Sequence, residues 1–345
     1  MLMDKMTLFL IVFFFVVNLI LFINFEFFSK KINVFDEPDN HLKNHKKKIS
    51  LLGGTIIFFN IILFFSMNLL FNNSLVDFEN NRIISFLFII FSFYSIGFYD
   101  DLKKIIPNIK LIFILFSSYI AIIYDPDLAL NLIKISFLEK DYFMNKFSIP
   151  FTVLCFALLA NAFNMFDGID LQLILFSIYI FLIFIFKGVL PIFSIIITIT
   201  LIFILILNYK NKIFLGDSGA FILSGIIGFI LIDQYQNEEI FFSSDEIFVI
   251  LMVPGIDMLR LFISRIYKKQ NPFFGDLNHL HHILKKKFKG VIKTNFILML
   301  FYSIPFIGLI AGFETYFIFG IYSLIYILII KYSLSNKKNI KYKLS

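Results

Sequence analysis

Four short stretches of this sequence concentrate the side chains able to do polar chemistry. The adjacent carboxylates Asp100 and Asp101 stand in IGFYDDLKK, at the end of an apolar run. Such a pair at a membrane-span end is costly unless a cation or partner compensates it, so it suits a metal or phosphate site. The plainer reading is an acidic span end paired with Lys103 or Lys104. Residues 161–170, NAFNMFDGID, bring together Asn161, Asn164, Asp167 and Asp170. Asn161, Asn164 and Asp167 share one helical face at i, i+3, i+6. Amide and carboxylate oxygens are hard ligands that suit Mg²⁺, whereas the plainer reading is a loop that ends a span, since Asn and Asp make good turns.

The third stretch is FLGDSGAF, residues 214–221, which opens a new apolar run. Asp217 or Ser218 is expected to cap the helix that follows. The helix N-terminus would attract anions, and a carboxylate there could hold a metal bridging to a phosphate. The fourth is NPFFGDLNHLHHILKKK, residues 271–287, with His279, His281 and His282 beside Lys285, Lys286 and Lys287. No HExxH is present and no cysteine is near, so these histidines suit anion binding better than metal binding. Anionic lipid headgroups account for the lysines but not for the H-x-H-H cluster. A further loop, DEPDNHLKNHKKKISLLGG, mixes acids with Lys43 and His45 before Gly53 and Gly54. Positive-inside charge alone accounts for Lys46 to Lys48 in it.

The elements that must position these groups are membrane helices. The chain has 345 residues, of which 59% are hydrophobic, and it contains 51 Phe and no Trp. That is well above the roughly 45–50% apolar content of soluble domains. Eleven apolar runs approach the roughly 20 residues a span needs: about 7–28, 51–71, 83–99, 109–124, 147–163, 171–187, 189–208, 219–235, 246–264, 295–312 and 315–331. The expected fold is an all-α polytopic integral membrane protein of about 11 transmembrane helices, residues 1–345 forming a single transmembrane domain. The first run is read as a retained helix, being too long for a signal-peptide core. Cys155, the one cysteine, lies in an apolar run and forms no internal disulfide.

Charge sets the orientation. Most of the 31 Lys and Arg fall in the connections 29–50, 100–108, 164–170, 209–218 and 265–294 and in the tail 332–345. The other side holds Lys5, Arg82, Lys134, Lys140, Lys146 and Lys187, while Arg260 lies within a span. The positive-inside rule places the richer set in the cytoplasm, with the N-terminus outside and the C-terminus cytoplasmic. Topology, not nucleic acid, therefore explains the net charge of +7. The same partition, made without reference to the motifs, gathers all of them on the cytoplasmic face. Hard oxygen ligands beside histidines and lysines are the equipment of phosphoryl transfer, where catalysis is positioning and charge neutralisation.

In combination these motifs resemble those of the polyprenyl-phosphate N-acetylhexosamine-1-phosphate transferases, relatives of the peptidoglycan phospho-MurNAc-pentapeptide translocase. The resemblance spans residues 36 to 285. It rests on Asp100–Asp101, on N-x-x-N-x-x-D-G-x-D from Asn161 to Asp170, on Gly216 to Gly219, and on H-x-H-H from His279 to His282, with Arg265 and Asp276 before it. The loop with Asp36, Pro38, Lys43, His45, Gly53 and Gly54 matches more loosely: Leu42 stands where Arg is usual and Ser50 where Pro is usual. H-L-H-H is similar to the glycan-initiating branch rather than the peptidoglycan one.

The resemblance implies transfer of an N-acetylhexosamine 1-phosphate, GlcNAc by default, from a UDP-sugar to undecaprenyl phosphate with release of UMP, at the cytoplasmic face of a bacterial plasma membrane. It implies Mg²⁺, with Mn²⁺ as the alternative, held by Asn164 and Asp217. Catalytic roles are expected for Asp100, Asp101, Asp167, His279, His281 and His282. Substrate contacts are expected for Lys43, His45, Asn161, Asp170 and Arg265. A covalent aspartyl-phosphate route stays open, as does a homodimer. The rivals are the peptidoglycan transferase and a secondary transporter, but a transporter places its acids near the bilayer midplane, between symmetry-related repeats. A non-catalytic scaffold leaves the one-sided motifs unexplained.

Overall fold

The computed structural model describes residues 5–37, 48–76, 78–136, 138, 140–236, 242–270 and 278–341. It is nearly all helical. Helices α1 (Lys5–Ile23) and α2 (Phe25–Ile32) lead to an antiparallel pair, β1 (Phe35–Asp36) with β2 (Ile49–Ser50), in which Phe35 faces Ser50. Then come α3 (Gly53–Leu70), α4 (Asn80–Leu102) and α5 (Pro107–Tyr124). A hairpin of β3 (Leu132–Ile135) and β4 (Lys140–Phe143) comes next, with Leu132 facing Phe143. The rest is α6 (Ser148–Phe166), α7 (Gln172–Lys187), α8 (Pro191–Tyr209), α9 (Gly216–Gln236), α10 (Ser244–Tyr267), α11 (Leu280–Phe288), α12 (Val291–Ile310) and α13 (Thr315–Lys341).

Every apolar run read from the sequence lies on a helix. Among the described residues nine helices are long and apolar enough to cross a membrane, and two shorter apolar helices, Gln172–Lys187 and Thr315–Lys331, carry the remaining runs. The chain is a multi-pass membrane protein. The first run differs from the expected single helix. At Asn24 the side-chain Nδ2 donates to the Ile20 carbonyl at 3.0 Å and the helix breaks. Beyond the break lies the short amphipathic α2, closed by Asn33 in the left-handed conformation. Elsewhere the starts are conventional. Pro107 and Pro191 open α5 and α8, where a missing N–H costs nothing. Ser243 accepts the Glu246 N–H to begin α10, half of a capping box.

The chain divides into two compact units. The first, Met1–Leu130 with Lys146–Phe241, is built around α9. The span of α9 is 89% buried whereas that of α1 is 17% buried, so α9 is the axis of the unit and α1 lies at its periphery. Helix α4 packs along α9, with α3 and α6 also against it. Ala220, Ser224, Gly225 and Gly228 keep α9 thin enough for this, since small residues let helix backbones approach in membranes. At one crossing the approach is extreme. A Cβ on Gly97 of α4 would lie 2.5 Å from the Ser218 Cα of α9.

Two buried polar groups fasten this unit within the apolar phase. Asn18 of α1 donates to Asn60 of α3 at 2.9 Å and to Thr200 of α8 at 3.3 Å. Arg82, near the start of α4, pairs with Asp125 after α5 at 2.6 Å and with Asp233 of α9. The second unit, Asn131–Asn145 with Phe242–Ser345, packs α10 against α12 and α13, with α11 lying on the latter two. Its β3–β4 hairpin is tied to α10 where the Ser136 N–H and hydroxyl donate to Asp245.

Gly97→Ala is expected to force α4 from α9 and destabilise the protein by about 1–3 kcal/mol, as overpacking does. Gly320→Ala, where a Cβ meets nothing within 4 Å, should leave stability unchanged or raise it. Thermal unfolding of both variants in detergent, with equal midpoints as the contrary result, checks this.

Candidate active site

The first unit gathers the motif carboxylates at the adjoining ends of α4, α6 and α9. The organising contact is Asp101. Its Oδ1 accepts the Asp217 N–H at 2.9 Å, and its Oδ2 accepts the Ser218 N–H at 3.1 Å and the Ser218 hydroxyl at 2.6 Å. Free N–H groups and the helix dipole make an N-terminus favour a negative charge. The expected cap from Asp217 or Ser218 itself is thus replaced by a carboxylate from α4. That carboxylate also takes the place where an anionic ligand was expected. Gly216 makes the turn at φ +76, and a Cβ there would lie 2.5 Å from Asp101 Oδ2. A left-handed glycine is the residue that fits.

With its backbone held this way, Asp217 carries its own carboxylate to Lys110. The Lys110 Nζ lies 2.7 Å from Asp217 Oδ2 and 3.3 Å from Asp100 Oδ2. Asp100 is buried and further held by the Ile105 N–H at 2.7 Å and by Lys104 at 3.1 Å. Burial would lower the Lys104 amine, but Asp217 and Asp100 beside it outweigh this and raise it. Asp167 ends α6. Desolvation first, then the carboxylates of Asp217, Asp170 and Asp101, push its carboxyl up to about 8. Asn161 and Asn164 sit half-buried on the last turns of α6, and Asp170 is half-buried in the loop beyond it.

Two further contacts hold the motif loops together. Asn208, buried at the end of α8, accepts the Leu171 N–H at 2.8 Å and donates to the Ile213 carbonyl at 2.7 Å. It thereby links the loop after α6 to the one before α9. The N–H groups of Gly53 and Gly54 donate to the carbonyls of Phe214 and Leu215 at 3.2 and 3.1 Å. The glycine pair of the first loop is therefore a backbone support for the Gly-Asp-Ser-Gly turn.

The second unit holds the imidazoles. His279 and His281 are buried and stack with ring centroids 5.1 Å apart and an interplanar angle of 10°. The His282 ring lies 4.3 Å from that of His281. Arg265 is buried in the last turn of α10. Burial first, then the neighbouring His282 and His279, drive His281 well below the usual histidine range. Burial, His279 and the Lys285 and Lys286 amines lower His282 to about 4. These two rings are neutral at pH 7 and meet an anion as hydrogen-bond partners rather than as fixed charges. Lys43, His45 and Asp276 lie outside the described residues.

The family model of glycosyl transferase family 4 matches residues 83–234, which include the Asp100–Asp101, Asn161–Asp170 and Gly216–Gly219 motifs. An undecaprenyl-phosphate alpha-N-acetylglucosaminyl 1-phosphate transferase of Thermotoga maritima is 27% identical over 320 residues, covering 92% of this chain and 94% of the relative. The chain is thus similar to glycosyl transferase family 4 over the stretch that carries three of its motifs. A second relative, of the same description from Escherichia coli K12, is 26% identical over 270 residues, 75% of this chain and 71% of the relative.

Sequence reasoning missed several residues of the clusters. Lys110, Asn208 and the helix-capping role of Asp101 were not singled out. Lys110 had a signal, a lone cation in the first turn of the apolar run opened by Pro107. Asp257 and Arg260 had one too: an i, i+3 ion pair inside a hydrophobic run, where charge is costly.

The His282 shift has a sign that can be tested. A histidine lowered to about 4 in the folded state binds its proton more readily when unfolded, near 6.5. Its contribution is therefore complete above about 6.5 and is lost as pH falls toward 4. The apparent unfolding midpoint should fall over that window, and His282→Gln should flatten the decline; an unchanged slope would count against the neutral ring.

Proposed function

We propose that this protein transfers N-acetylglucosamine 1-phosphate from UDP-N-acetylglucosamine to undecaprenyl phosphate, releasing UMP. The observation that carries the reading is the cluster of Asp100, Lys104, Lys110 and Asp217, assembled on membrane-helix ends around the Asp101 contact. The names of the relatives supply the acceptor lipid and the sugar phosphate. The uridine nucleotide is our choice of donor. The lysine-rich connections support a cytoplasmic location for this face, where the site would meet a cytosolic nucleotide and the headgroup of a lipid in the inner leaflet of a bacterial plasma membrane.

A phosphate monoester with a second pKa near 6 is mostly dianionic at pH 7. Its oxygen forms a new bond to the β-phosphorus while the bond from that phosphorus to the oxygen bridging to the α-phosphate breaks, and UMP leaves with that oxygen. Little general-base help is needed. Asp100 orients the nucleophile and takes any remaining proton. Its oxygens are already engaged by Ile105, Lys104 and Lys110, which favours a single displacement over an aspartyl-phosphate. Lys104 and Lys110 offset the phosphate charge as the substrates gather. Asp101 positions Asp217, and Asp167, Asp170 and Asn161 face the nucleotide and sugar. To His279, His281, His282 and Arg265 the reading gives the diphosphate oxygens.

The donor set fits a divalent cation. Asp217, Asp100 and Asn164 offer hard oxygen atoms, and an ammonium already sits between Asp100 and Asp217. Asp217 and Asn164 would hold Mg²⁺, which when bound neutralises diphosphate charge and makes the β-phosphorus more electrophilic.

Three outcomes are expected. Asp217→Ala should abolish Mg²⁺-dependent UMP release from UDP-GlcNAc and undecaprenyl phosphate, and full activity in that variant would remove the assignment. Lys110→Met should lower kcat while reducing the Mg²⁺ concentration needed for half-maximal rate, because the ammonium no longer competes for Asp217. In a Cys155→Ser background, Ser335→Cys should react with an impermeant thiol reagent only in inverted vesicles; labelling of intact cells would reverse the orientation.

A further inference from the structure

Asp257 is a buried acid for which the reaction above has no use. It lies on α10 and is 3% exposed. Its oxygens are nonetheless fully engaged. Oδ1 accepts the Tyr326 hydroxyl of α13 at 2.7 Å, the Arg260 guanidinium at 2.8 Å and the Leu280 N–H at 3.1 Å. Oδ2 meets His279 Nδ1 at 3.0 Å. Guanidinium and backbone N–H can only donate, so the group they surround is a carboxylate acceptor. His279 Nδ1 must then carry its hydrogen toward Oδ2.

Asp257, His279 and His281 also bring ligand atoms within 4.8 Å of one another, the spacing of a metal site. A cation there would have to take an oxygen from Arg260, Tyr326, Leu280 or His279. The network therefore orients an imidazole.

We infer that Asp257 is the positioning residue of His279: it fixes the ring by holding its Nδ1–H, so that Nε2 is the atom presented to the diphosphate and donates to it when the ring takes a second proton between the two anions. The ring nitrogen that faces a ligand is set by the hydrogen bond that the other one makes. Arg260 and Tyr326 belong to the same device, because they hold the carboxylate that holds the ring. Arg260 further donates to the Asn278 carbonyl at 2.7 Å, next to His279 in the chain. The inference rests on the proposed function only in giving Nε2 a diphosphate to face.

The test separates the two. In Asp257→Asn the amide oxygen will take the Oδ1 position, where the donors converge. The NH₂ group is then turned to His279 Nδ1, which must become an acceptor. Nitrogen-15 spectra of histidine-labelled protein, assigned with His279→Gln, should show His279 Nδ1 protonated in wild type, unprotonated with the hydrogen on Nε2 in Asp257→Asn, and protonated again in Asp257→Glu. For UMP release, Asp257→Asn should lower kcat about 100-fold, the upper end of what loss of an orienting partner costs at metal-bound imidazoles. It should cost nothing further in a His279→Gln background, and Asp257→Glu should recover much of the rate. An unchanged tautomer, or the same fold-loss in both backgrounds, overturns the assignment and leaves Asp257 a mere tie between α10 and α13. Should wild type release no UMP, the proposed function fails and the tautomer measurement alone decides.

Discussion

The contact on which the first unit's chemistry depends is a carboxylate closing a helix that is not its own. Asp101, from the end of α4, takes the first N–H groups of α9 and the Ser218 hydroxyl. A helix start buried in protein at a membrane surface has few alternatives, since unsatisfied N–H groups there cost several kcal/mol each. One side chain therefore satisfies α9, fixes its rotation relative to α4, and decides where Asp217 points. Gly97 and Gly216 are consequences of that contact. The first lets the two backbones meet and the second makes room for the carboxylate.

The remaining charges follow from the excess of acids around it. Asp100, Asp101, Asp167, Asp170 and Asp217 belong to one set of motifs, while Lys104 and Lys110 pair with Asp100 and Asp217. Burial raises the Asp167 carboxyl first, and the neighbouring carboxylates of Asp217, Asp170 and Asp101 raise it further. Such a site is poised to receive positive charge, or a substrate that brings a cation with it. The histidines answer differently. His281 and His282 shed charge through burial and proximity, whereas His279 keeps the Asp257 carboxylate as its partner.

Much of this was legible in the sequence, for identifiable reasons. Long apolar runs leave helices little choice in lipid, so their positions were readable. The break at Asn24 was not, because a single turn residue between two apolar helical stretches leaves no trace in hydropathy. The motif residues of the site were readable because Asp, Asn and His are rare inside apolar chains. Their partners were not. Lys110 reads as an ordinary flanking cation, Asn208 as a span-end amide, and Asp101 as half of a pair. What each does depends on residues distant in the chain: Asp101 meets Ser218, Lys110 meets Asp217, and Asn208 meets Leu171. Likewise Gly53 and Gly54 stood in the sequence only as the end of the first motif loop, and their N–H groups prop the turn before α9.

The Arg82 pairs take on another meaning beside the Asp101 contact. Arg82 grips Asp233, near one end of α9, and Asp101 grips the other. Helices α4 and α9 are thus a beam clamped at both ends, with the charges of each clamp shielded from water. Such a pair cannot slide or pivot without breaking a buried ionic contact. Adjustment to an incoming ligand must then fall to parts with slack. Chief among these are the Lys104 and Lys110 side chains, whose four-carbon stems can swing an ammonium several ångströms while the beam stays still.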